Sequence, residues 1–132
     1  MTIEGKPAII NKDIVSVYSF LTDFNNFESL MPEQITNWQS DTNSCSFTIK
    51  GMADIKLTFS EKTPHNYIKL VPEGKVPFSF SLIIRLSEQE SNTLAKVEID
   101  AQLNPMMAMM AKRPLENLVN VMAANINDAI GR

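Results

Sequence analysis

FLTDFNNFESLMPEQITNWQ, residues 20–39, packs two short helix-like pieces, a Met-Pro stop and the start of a strand into one brief stretch. Thr22-Asp23 offers a cap, and Phe24, Phe27, Leu30 and Met31 then form a short apolar stripe. Pro32 donates no backbone N–H and biases Met31 away from helix, which ends the piece. Upstream, Asn11 reads as the N-cap of a helix carrying Ile14, Val17, Tyr18 and Leu21 at i, i+3, i+4, i+7. Before that, residues 2–10 read as a first strand, with Gly5 and Pro7 marking an edge or a bulge.

From residue 35 the apolar period changes from 3.6 to 2. Cys45, Phe47 and Ile49 alternate with polar residues, as do Ile55, Leu57 and Phe59 after a turn at Lys50-Gly51. Ile68 and Leu70 follow the Pro64-His65-Asn66 turn. Beyond Pro72-Glu73-Gly74 come Phe78, Phe80, Leu82, Ile84 and Leu86, then Ala95, Val97, Ile99, Ala101 and Leu103. This alternation predicts an antiparallel meander with one buried and one wet face. Asn104-Pro105 is a helix start, a capping side chain followed by Pro at the first position. A helix from there to the C-terminus, kinked at Pro114, would be about 40 Å long. Its apolar face holds Leu115, Leu118, Val119, Met122, Ile126, Ala129 and Ile130.

A one-faced sheet must cover its apolar side, and the large apolar object left to cover it is this last helix. The expected fold is therefore α+β: a curved antiparallel sheet of about six to seven strands wrapped around a long C-terminal helix, with two short helices after the first strand forming a corner. The 132 residues read as one domain, 1–132, without repeat or linker. With 44% hydrophobic and 20% charged residues the chain is globular rather than disordered. No apolar run is long enough for an integral membrane segment. MTIEGKPAII has neither the basic start nor the apolar stretch of a signal peptide, and the single Cys45 forms no internal disulfide. A cytoplasmic monomer or weak homo-oligomer is expected. Net charge is −3, the cations are scattered, and only Lys112-Arg113 are adjacent, so nucleic acid is not an expected partner.

The segment VYSFLTDFNNFESLMPEQITNW resembles the first helix, Asp-centred break, second helix and Met-Pro exit of the Bet v 1-like, or START-like, helix-grip superfamily, which includes small bacterial polyketide cyclase/dehydrase-like (SRPBCC) proteins. EKTPHNYIKL, PFSFSLIIRLSE with NTLAKVEID, and LENLVNVMAANI are similar to its later turn, last hairpin and terminal helix. The resemblance covers nearly the whole chain. It implies a sheet gripping a helix, often around a hydrophobic cavity. It does not imply one activity, since the fold hosts lipid carriers, hormone binders, cyclases and chaperone cofactors.

No catalytic set emerges. His65 is the sole histidine and stands in a turn, read as solvated. Cys45 is in phase with Phe47 and Ile49, read as a buried small hydrophobe. One His and one Cys make a metal site an unusual prospect, and isolated glycines form no phosphate loop, so neither metal nor cofactor is expected. The carboxylates, Glu98 and Asp100 among them, fall at caps, turns or the polar strand face and read as solvated. The unusual feature is PMMAMMAKRP, residues 105–114, with four of the eight methionines. Flexible and polarizable, these suit a pocket lid, a membrane or protein contact, or an awkward corner of the core. An empty dry cavity of ~300 Å³ would cost roughly 7 kcal/mol, so the interior should be small, hydrated or occupied.

The leading expectation is a protein that binds a small hydrophobic or amphipathic molecule between sheet and helix, without chemistry. Candidate wall residues are Trp38, Phe47, Leu57, Phe59, Phe80, Leu82, Val97, Met107, Met110, Leu118 and Met122. The alternatives are a cyclase- or hydratase-like enzyme, which needs buried polar groups facing the cavity, and a cavity-less protein-interaction module.

Overall fold

The computed structural model describes residues 1–76 and 78–130. Strands β1 (Thr2–Glu4) and β2 (Ala8–Ile10) lead into helix α1 (Ile14–Leu21) and two 3-10 turns, Phe24–Asn26 and Glu28–Leu30. Strands β3 (Ile35–Ser40), β4 (Ser44–Ile49), β5 (Ala53–Thr63), β6 (Tyr67–Pro72), β7 (Phe80–Gln89) and β8 (Asn92–Ala101) follow, then helix α2 (Pro105–Ile130). All eight strands form one antiparallel sheet in the order β1-β8-β7-β6-β5-β4-β3, with β2 also paired to β8. Helix α2 packs against β8, β1, β2 and the second 3-10 turn. The expected last helical positions, Gly131 and Arg132, lie outside the described residues.

Where one first strand was expected there are two: the Lys6 N–H goes to Asn120 of α2 and Pro7 has no N–H to give, while Gly5 sits at the closest approach of the edge to α2. The Gly5 N–H donates to the Val97 carbonyl at 2.9 Å, between the β1 and β2 pairings on β8. A Cβ at this position would stand 2.9 Å from the Val97 oxygen and 3.1 Å from the Val119 oxygen. Edge strand, β8 and α2 thus meet at a point with no room for a side chain.

The helix cap is Asp13, not Asn11. Asp13 accepts the Ser16 backbone N–H at 3.0 Å and the Ser16 hydroxyl at 2.7 Å. The Asn11 N–H is instead donated to Asn127 Oδ1 on α2. The second expected helix is a pair of 3-10 turns. Phe24, Phe27 and Leu30 repeat every three residues, which matches three residues per turn, and all three are fully buried. Asp23 caps the first turn through the Asn25 N–H, and Met31 before Pro32 is extended. Register shifts between Phe59 and Glu61 in β5 and between Thr36 and Gln39 in β3 bend the sheet around its core.

Asn104 caps α2 through the Met107 N–H at 2.8 Å, and the helix runs on through Pro114. Its buried stripe is Ala111, Leu115, Leu118, Val119, Met122, Ala123 and Ile126. Asparagines on its flanks clip it in place: Asn117 to Gln34, Asn120 to the Lys6 N–H, Asn125 to the Leu30 carbonyl and Asn127 to Asn11. Each tie bridges more than eighty residues of sequence.

Glu98 departs from the solvated role expected of it and is only 8% exposed. It lies opposite Glu4 of β1 and Ile83 of β7, and the Arg85 guanidinium binds its carboxylate from one side. Arg85 also lies 5.3 Å from the centroid of the Tyr67 ring, while Glu4 is neutralised by Lys96 at 2.8 Å. The extra strand on β8 covers Glu98, and this network satisfies it on the outer face of the sheet.

Candidate ligand site between the sheet and the C-terminal helix

The grip leaves little empty space at its centre. An enclosed void of 20 Å³ lies between sheet and α2, lined by Phe47, Ile49, Leu57, Phe78, Phe80, Leu82, Ile99, Leu115 and Leu118. Every one of these side chains is hydrocarbon, so a water inside would find no polar side chain to bond, and the void is dry. Outside it, an apolar cleft of 150 Å³ is walled by Gly51, Met52, Phe78, Met107, Met110 and Ala111. It sits where the β4–β5 turn, the β6–β7 loop and the first turns of α2 converge. Phe78 borders both spaces, is 8% exposed, and leans on Phe80 at a ring separation of 5.5 Å. It is the one residue common to the two linings.

Of the eleven residues singled out from sequence, Phe47, Leu57, Phe80, Leu82 and Leu118 line the void, and Met107 and Met110 line the cleft. Trp38 stands one layer behind, half-buried and stacked on Phe47 at 5.5 Å, with its indole N–H donated to Ser40. Ser40 in turn donates to Asn25, tying β3 to the corner. Phe59 stacks on Phe24 at 4.3 Å with Lys62 over its ring, and so packs the corner instead. Val97 and Met122 are fully buried in the core and touch neither space. Phe78, Ile49, Ile99 and Leu115 complete the void although they were not singled out. Their signal was present: Ile49, Ile99 and Leu115 are in phase with the apolar faces of β4, β8 and α2, and Phe78, in the loop before β7, continues the alternation of Phe80 and Leu82.

The four methionines of the α2 start divide. Met107 is half-buried, while Met106, Met109 and Met110 are 73%, 85% and 72% exposed. Two larger hollows, 310 and 400 Å³, are open polar grooves over β3–β5 lined by residues such as Gln39, Ser46 and Lys56. Phe47 and Ile55 contribute to the wall of the larger one, but polar and charged side chains dominate both.

Ionisable groups stand away from the void. Among the described residues the buried polar side chains are Thr93, which donates to the Lys12 carbonyl, and Glu98, held by Arg85 on the outer face. His65 is exposed, its ring edge-on to Tyr18 at 5.3 Å. No three His, Cys, Asp or Glu side chains among the described residues cluster to hold a metal ion. Cys45 is 2% exposed, and burial pushes its thiol up to about 12. We expect it to resist an aromatic disulfide reagent at pH 8 in the folded protein and to react fully once urea unfolds the chain. Reaction of the native protein within minutes would place Cys45 outside the core.

No family model matches the chain, and no curated protein matches it in sequence. Solved structures do match. The KanY protein superimposes with a TM-score of 0.79 at 9% identity, over 100% of this chain and 98% of that one. A START superfamily protein from Mycobacterium smegmatis gives 0.69 at 13% identity, over 98% and 97%. The chain has the START/Bet v 1-like helix-grip fold. A conserved protein from Geobacillus kaustophilus is similar to the same extent, with a TM-score of 0.70 at 17% identity over 99% and 95%. At these identities the likeness is one of fold, and what the helix-grip does in this chain rests on its own residues. Among the described residues no helix is long and apolar enough to cross a membrane.

Proposed function

We propose that this helix-grip protein binds a small hydrophobic or amphipathic molecule between sheet and α2, without chemical conversion. The observation that carries the reading is the pairing of an apolar cleft with a dry apolar void across one side chain, Phe78. Swinging Phe78 outward joins the two and vacates the volume of its own ring. The loop that carries it leaves β6 through Gly74, at φ +81°, a conformation glycine adopts without strain. Cleft and void are each smaller than the ~300 Å³ of an ordinary ligand pocket, so the occupant is slender or the site opens to receive it. The buried part of such a ligand is uncharged, because the wall offers no counter-ion. An enzyme on this fold would need a proton-transferring group on that wall, and the lining side chains are hydrocarbon.

Trp38 is the chain's sole tryptophan and stacks on a wall residue, so its fluorescence reports occupancy. Titration with a homologous series of fatty acids and alkanols should give a saturable change. Leu118→Phe, which fills the void, should weaken it by about tenfold, equivalent to ~1.4 kcal/mol. Phe78→Ala, which removes the side chain common to both linings, should strengthen it. The small void itself favours a second reading, a packed interaction module. No saturable response in wild type or in Phe78→Ala would establish that reading and overturn ours.

A further inference from the structure

The first two turns of α2 present two apolar faces. Met107 and Ala111 face inward to the cleft, Met106 and Met109 face solvent, and Met110 borders the cleft while remaining 72% exposed. Six large apolar side chains are exposed among the described residues, and three of them fall within these five positions. Met106, Met109, Met110 and Arg113 follow i, i+3, i+4, i+7 and form one outward stripe. Farther along α2 the outward positions are polar, as at Asn117 and Asn120, and hold neighbouring elements. Among the described residues the exposed methionines have no such partner.

The charge around the stripe bears on what could cover it. The segments that wall the cleft carry four cations, Lys50, Lys75, Lys112 and Arg113, while the two acids that flank them, Asp54 and Glu73, are engaged by Thr48 and by Lys56 at 4.0 Å. All four cations are exposed, in a chain whose net charge is −3. The nearest acid on α2, Glu116, sits 3.9 Å from Lys112, a loose exposed pair that contributes little. An apolar stripe rimmed by cations on an otherwise acidic protein complements an anionic interface with a hydrocarbon interior.

We propose that this pole is a peripheral docking surface for anionic membranes, with Met106, Met109 and Met110 entering the headgroup boundary and the four cations facing lipid phosphates. The surface shares only Met110 with the ligand site: Met106, Met109, Lys112 and Arg113, where the variants are placed, line neither cleft nor void. The two ideas therefore fail separately.

The test is flotation with vesicles of phosphatidylcholine alone and of phosphatidylcholine mixed with phosphatidylglycerol, using the full chain. Wild type should float with the anionic vesicles only, and molar salt should release it. Lys112→Gln with Arg113→Gln should weaken binding by about fivefold per charge, the ~1 kcal/mol of a cation near an anionic leaflet. Met106→Gln with Met109→Gln should weaken it by about tenfold or more, while the circular dichroism and the fatty-acid response of Trp38 stay unchanged. Absence of flotation, or equal flotation of wild type and both double variants, overturns the proposal. So does a concentration-dependent dimer that the methionine variant dissolves without lipid present, which would make a second copy the occupant.

Discussion

Phe24→Ala should lower the unfolding free energy by about 3–5 kcal/mol, the range for deleting a buried phenylalanine whose surroundings relax only partly. Phe24 is fully buried, stacked on Phe59 at 4.3 Å and tilted against Phe27 at 5.0 Å. It therefore joins the corner to the sheet at the β5 bulge. Its N–H is also donated to the Thr42 carbonyl, so the corner is fixed in direction as well as packed. Urea unfolding followed by circular dichroism checks this, and the denaturant slope should be unchanged if only the native state is affected. A loss below about 1 kcal/mol would mean that the corner is a surface appendage rather than part of the core.

Gly5→Ala should cost about 1–3 kcal/mol although it adds a single methyl group. The new Cβ meets main-chain oxygens of β8 and α2 at 2.9 and 3.1 Å, and backbone cannot swing aside as a flexible side chain does. Either the β1–β2 edge lifts from β8 or α2 moves outward. Both disturb the Lys6–Asn120 and Asn11–Asn127 ties that hold the helix. The melting temperature should fall by several degrees. An unchanged melting temperature would show that the approach of α2 to β8 is looser than these distances require.

The faces of the sheet were legible in the sequence because alternation is a local signal. Phe80, Leu82, Ile84 and Leu86 need no partner to be read as one face. What escaped depends on contacts distant in sequence. Asn11 and Asp13 are both good caps in isolation; the helix starts at Ile14, so Asp13 caps it, and the Asn11 backbone is tied to Asn127 of α2. Glu98 reads as solvated until β1 is laid beside it. The corner was expected as helix, yet its own spacing of three already matched a 3-10 turn.

The candidate site was partly legible for the same reason. Phe47, Leu57, Phe80, Leu82 and Leu118 sit on apolar faces that had to converge under α2. Their convergence on a void of 20 Å³ rather than a ligand-sized cavity depends on packing, which a pattern does not carry. PMMAMMA gives no contrast between apolar and polar positions, so no periodicity could reveal that Met107 turns inward while Met106 and Met109 face solvent. Only the docking of α2 on the sheet separates them.

The most direct test of the ligand site is methyl-selective NMR on the wild-type protein titrated with the fatty acid that moves Trp38 most. Shifts concentrated on the methyls of Leu57, Leu82, Leu115, Leu118 and Met107 are the expected result, because these surround the void and its mouth. Shifts confined to Met106 and Met109, with the void's leucines unmoved, would mean adsorption on the exposed stripe and would contradict binding between sheet and helix.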